Sequence, residues 1–127
     1  MNISRVQTGH IIFSQNFKWK SLAPLFDNIL RTFLTETGQL PPEEDIVLMF
    51  VRLNMMDLEK NRKPEGWNRR GRIRMVFPIT DCPQMYLRAM TKSAEVIRVT
   101  EALSALLKKA KISHKIRYDD LKHVHLG

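Results

Sequence analysis

Ile46-Val47-Leu48-Met49-Phe50-Val51-Arg52-Leu53 and, after a polar stretch, Gly71-Arg72-Ile73-Arg74-Met75-Val76-Phe77-Pro78 decide how this chain is read. The first run is short, apolar on both faces and rich in β-branched side chains, the pattern of a strand covered on both sides. In the second, Ile73, Met75, Phe77 and Ile79 share one face while Arg72 and Arg74 share the other, which stands a row of guanidinium groups off a sheet. Residues 54–69 turn polar around Lys63-Pro64-Glu65-Gly66-Trp67-Asn68, so a long hairpin is the simplest connection between the two strands.

Working toward the N-terminus, Leu22, Leu25, Phe26, Ile29, Leu30, Phe33 and Leu34 fall at the spacing of one helical face, which predicts a helix from Ser21 to Gly38. Ser21 is placed to cap it, Pro24 sits in the first turn where its missing donor costs nothing, and Gly38 suits the left-handed stop. Toward the C-terminus, Thr80-Asp81-Cys82-Pro83 reads as a helix start, and helical propensity runs from Gln84 to about Lys109 with a break near Thr91 to Ser93. Val96, Val99, Leu103, Leu106, Leu107 and Ala110 form its buried stripe, and Lys108, Lys109 and Lys111 offset the negative helix end. Ile112 to Tyr118 alternates like an edge strand, with Lys115 and Arg117 on one side. The expectation is an α+β fold: one domain over residues 1–127, a small, mostly antiparallel sheet with two main helices packed on it.

With 127 residues and 43% of them hydrophobic, the chain can bury one core without metals or disulfides. Cys82 stands alone, which excludes an intramolecular disulfide, a four-cysteine zinc site and a paired-thiol redox motif. A basic, apolar leader and a membrane-spanning run are both missing from the pattern, so a cytoplasmic protein without a membrane partner is expected. The formal charge of +8 attracts polyanions, and it fixes the sign of a partner without fixing its class.

Catalysis needs a nucleophile, an acid–base group or a metal in recognisable company. Glycine-rich phosphate loops, nucleophile elbows and paired metal-spaced histidines do not occur. His123-Val124-His125 near Asp119 and Asp120 has the chemistry of a transition-metal site, against the plainer reading of a solvated tail. Asp120-Leu121-Lys122 matches half of a nuclease carboxylate–lysine motif, without its acidic partner on a strand. An enzyme would need His114, Asp119 or Asp120 to meet in one pocket. Cys82 at a helix start would have an activated thiol, although a histidine base is not beside it in sequence. The expectation is a protein that is not an enzyme and uses neither cofactor nor metal.

The densest signal is basic. Lys60, Arg62, Lys63, Arg69, Arg70, Arg72 and Arg74 are set against one acid, Glu65, with Trp67 in their midst. An aromatic ring among guanidinium groups can stack on a base while the arginines hold phosphates. Trp and Arg are equally the residues most enriched at protein–protein hot spots. The alternative is a solvated loop whose Trp67 only caps the core. Pro64-Glu65-Gly66 interrupts the basic run and no nucleic-acid-binding signature can be matched, which favours a protein partner. Glu36, Glu43, Glu44 and Asp45, clustered after the first helix, would polarise the molecule.

Through Ile46 to Asn54, the following Lys63-Pro64-Glu65-Gly66-Trp67-Asn68-Arg69-Arg70-Gly71-Arg72-Ile73-Arg74, its size and its lack of catalytic groups, the chain resembles the small α+β immunity proteins of bacterial polymorphic toxin systems, including contact-dependent growth inhibition. The resemblance implies a cytosolic antidote that binds a toxin domain and blocks its active site or substrate groove. Many such partners are nucleases with basic grooves and acidic inhibitors, so a charge of +8 points instead to an acidic toxin surface or an acidic active site. The expected interface comprises Lys60, Arg62, Lys63, Trp67, Arg69, Arg70, Arg72 and Arg74, and the rival is a small nucleic-acid-binding module that adds Lys108, Lys109, Lys111, Lys115 and Arg117.

Overall fold

The computed structural model describes residues 5–121 and the backbone of Val124–His125. Four strands form its main sheet: β1 (Val6–Phe13), β2 (Ile73–Val76), β4 (Gln84–Ser93) and β5 (His114–Tyr118), in the order β2-β4-β1-β5 with every neighbouring pair antiparallel. A two-residue strand β3 (Ile79–Thr80) pairs with β6 (Val124–His125) as a separate ribbon. Three helices, α1 (Phe26–Glu36), α2 (Glu44–Glu59) and α3 (Ala94–Lys109), complete an α+β fold with an antiparallel sheet, as the sequence predicts. Apart from the short ribbon, the chain interleaves a strand–helix–helix–strand unit with a strand–helix–strand unit in the split βαβ order.

α1 buries Phe26, Ile29, Leu30, Phe33 and Leu34, the expected face. Its start differs. Trp19–Leu25 is a 3-10 helix that contains Pro24, and Ser21 lies within it instead of capping the α-helix. Gly38, at φ +67°, takes the left-handed stop. α3 begins at Ser93, whose hydroxyl accepts the N–H of Glu95 at 3.0 Å, and buries Val96, Val99, Leu103 and Leu107. Ala110 falls off the buried face and serves as the exposed C-cap.

Two segments adopt the opposite secondary structure from that expected. Ile46–Leu53 is not a strand but the middle of α2, so the proposed hairpin with residues 71–78 does not form. Glu44 and Asp45 suit the first turn of a helix, and Val47, Val51, Asn54 and Leu58 recur on one buried face. The buried polar Asn54 hid that period. Conversely, Gln84–Ser93 is the central strand β4 and the helix starts only afterwards. Gln, Met, Leu, Arg and Ala favour helix locally, and tertiary pairing with β1 and β2 overrides that preference. β1 answers to no predicted element; its Thr8 and His10, polar yet buried, break the apolar run.

The core lies between the sheet and the helices, with Ile11, Phe13, Met75 and Leu87 from the strands meeting Phe33, Val99 and Leu103. Ile79, expected to share that face, points outward and is 66% exposed, because Pro78 ends β2 before it. None of the helices formed by the described residues is long and apolar enough to cross a membrane.

Candidate functional site

A strand sends alternate side chains to opposite faces, so the sheet that buries Met75, Leu87 and Ile11 against the helices turns Arg74, Val76, Tyr86 and Arg88 the other way. Arg74 and Arg88 are directly paired across β2 and β4. Like charges placed opposite one another repel. Arg74 reaches Asn68 Oδ1 at 3.4 Å, and the Arg88 side chain has no hydrogen bond or ion pair among the described residues. Lys63 and Arg70, carried by the loop that precedes β2, join them along an open groove of about 860 Å³. No acidic side chain among the described residues lines the groove. Gln7 and Asn68 also line it, and its apolar part includes Ile79 and Met90, 66% and 77% exposed.

The expected site residues therefore divide. Lys63, Arg70 and Arg74 meet in the groove, where the Lys63 ammonium also donates to the Phe77 carbonyl at 2.9 Å. Arg72 does not stand beside Arg74; it pairs with Glu95 and donates to the Thr37 carbonyl, which turns it toward the helices. Trp67 is only 6% exposed, so it caps the core and cannot serve as an open contact. Its backbone exchanges two hydrogen bonds with Met75, at 2.9 and 3.0 Å, and its ring packs 4.6 Å from Phe50 of α2. Arg69 lies over both rings, 5.2 Å from Phe50 and 5.1 Å from Trp67. Arg62 pairs with Asp57 at 3.2 Å, and Lys60 is exposed at the end of α2. Sequence reasoning missed Arg88, which it placed in a helix. The alternation of Tyr86, Arg88 and Met90 with Met85, Leu87 and Ala89 was the available signal.

Beside the groove, the centre of the sheet is closed. His10 is fully buried and stacks on Tyr86 with ring centroids 5.1 Å apart. Nδ1 meets Gln84 Oε1 at 3.0 Å, while Nε2 meets the Thr8 hydroxyl at 2.9 Å and the Asp120 N–H at 3.3 Å. A neutral ring protonated on Nδ1 satisfies all three contacts. Burial accordingly pushes the His10 pKa down, against the Gln84 hydrogen bond and the nearby Asp120 and Asp119 carboxylates, which favour the charged form. Asp119 Oδ1 accepts the backbone N–H groups of Gln7 and Thr8, at 2.8 and 3.1 Å, so the turn after β5 is fastened to β1.

The other candidates disperse. His114 bonds the Ser104 hydroxyl at 2.6 Å and the Ile112 carbonyl at 2.8 Å, apart from the shallow cleft lined by Asp119 and Asp120. Cys82 is not at a helix start: its S–H donates to the Phe13 carbonyl at 3.0 Å, next to β4. Lys122, His123 and the side chain of His125 lie outside the described residues, and so do the two motifs that depend on them. The expected acidic pole is neutralised in part, since Glu36 pairs with Arg98 at 2.9 Å and Glu44 with Arg31 at 2.5 Å. Lys108 and Lys109 lie in the last turn of α3, and Lys115 and Arg117 are exposed on the edge strand β5, two strands away from β4.

Compared with protein-family models, curated proteins and solved structures, the chain matches none.

Proposed function

We propose that this chain is a binding protein, without catalysis of its own, that takes an acidic segment of a protein partner into the groove on the open side of its sheet. Neutralisation of a toxin domain by an immunity protein is the biological form we propose for that binding. The observation that carries the reading is the Arg74–Arg88 pair, flanked by Lys63 and Arg70 without a lining acid. Such an array is strained by its own repulsion, and carboxylates from a partner relieve it while accepting bidentate hydrogen bonds. Exposed Ile79 and Met90 add an apolar wall, which suits a peptide segment with acidic and apolar side chains alternating.

A nucleic-acid strand would use the same charges but also needs aromatic faces on which to stack. Here the aromatic rings that line the groove, Tyr86 and Phe77, are buried, as is Trp67 beside it. Protein recognition fits that composition better. Capture from a lysate of the source cells, with and without nuclease, tests it using the tagged native chain and the R74E/R88E variant. A stoichiometric, nuclease-resistant protein retained by the native chain and lost by the variant is expected. Recovery of nucleic acid that disappears on nuclease treatment would overturn the reading.

A further inference from the structure

α2 carries a second unexplained surface, on the helical side of the molecule. Met49, Leu53 and Met56 are 49%, 53% and 57% exposed and follow one another at i, i+4 and i+7, so they form a single apolar stripe. Asp45 begins the same helical face and Lys60 closes it. Both are exposed, and neither forms an ion pair within the described chain. The stripe is thus bracketed by one negative and one positive end, at roughly equal distances from its centre near Arg52 and Leu53.

We infer that this face binds a second copy of the chain, with the two α2 helices packed antiparallel about a two-fold axis. A two-fold contact must be self-complementary, each residue of one copy facing a fixed counterpart on the other. Antiparallel pairing centred between Arg52 and Leu53 sets Met49 against Met56 and Asp45 against Lys60, and it does so twice. A parallel arrangement would instead bring Asp45 against Asp45 and Lys60 against Lys60. The helix dipoles favour the same choice, since each positive N-terminus lies beside a negative C-terminus. Arg52, on the flank of the stripe, covers the seam with its methylenes and keeps its guanidinium in water. A cleft of about 310 Å³ between α2 and Trp67, bordered by Leu53 and Met56, offers room for a flexible Met side chain from the other copy.

Sedimentation of the full chain over a concentration series, from low micromolar to hundreds of micromolar, tests the pairing. The native protein should approach twice its 14.9 kDa mass as concentration rises. L53E should raise the dimer dissociation constant about tenfold or more, with its thermal melt showing that the exposed site leaves the fold intact. D45K and K60D each bring like charges together at both ends and should each dissociate more readily. Their equimolar mixture brings opposite charges together at both ends and should recover a heterodimer. A native chain that stays monomeric throughout, or a dimer indifferent to L53E, would overturn the inference. Single variants that fail to recover on mixing would overturn the antiparallel register.

Discussion

At the scale of single residues, buried polar side chains decide where the loop before β2 and the turn after β5 can lie. Asn54 is buried in α2, and its amide spans two elements: Nδ2 donates to the Phe50 carbonyl at 2.8 Å, and Oδ1 accepts the Gly66 N–H at 2.6 Å. Gly66 holds φ +76°, and a Cβ there would come within 2.6 Å of the Met75 carbonyl, so this close approach demands glycine. Asn54→Ala strands the Gly66 N–H without its acceptor and should lower the free energy of unfolding by about 1–3 kcal/mol, as read by urea titration. His10 supplies a second expectation. Its folded pKa lies below the ordinary 6.5, so the unfolded chain takes up a proton first as the medium is acidified. The stability tied to its neutral form is complete above about 6.5 and is lost as pH falls through the depressed folded value. Melting temperatures followed from pH ~8 to ~5 should drop more steeply in the native chain than in His10→Gln. Parallel curves would show that the buried ring is not the titrating group.

Elements show why the antiparallel α+β class was legible while two assignments were reversed. α1 and α3 keep long apolar stripes at helical spacing, and β5 keeps clean alternation, so their types follow from pattern alone. Ile46–Leu53 misleads because its outward residues include Met49 and Leu53, which fill in the face that a surface helix ordinarily leaves polar. β4 misleads because its residues are good helix formers held straight by two neighbouring strands. The site was half legible for the same reason: Lys63, Arg70 and Arg74 were read as basic residues, but their company with Arg88 depends on β4 being a strand. Trp67, Arg69 and Arg72 were lost to packing and pairing that no spacing rule announces. The β2–β4 register has a measurable consequence. Arg88→Glu replaces a repulsive cross-strand pair with an attractive one and should raise the melting temperature by roughly 2 °C while abolishing partner capture. A variant less stable than the native chain would mean that Arg88 is held by contacts beyond Arg74.

Over the whole molecule, the charge of +8 and the local groove make separable demands. Net positive charge destabilises a compact chain through general self-repulsion, which any salt screens over a Debye length of about 10 Å at 0.1 M. Every variant that keeps the fold should share that response. The groove asks for more, since four cations without a lining acid can engage several carboxylates of one strand together. A short oligoglutamate peptide should therefore raise the melting temperature further than sodium chloride at matched ionic strength. By linkage, a ligand at a hundred times its dissociation constant adds about 2.7 kcal/mol. In R74E/R88E the excess over sodium chloride should vanish while the screening response remains. If peptide and salt act alike on the native chain, or if the excess survives in the variant, the positive field is diffuse and the Arg74–Arg88 pair is not its binding focus.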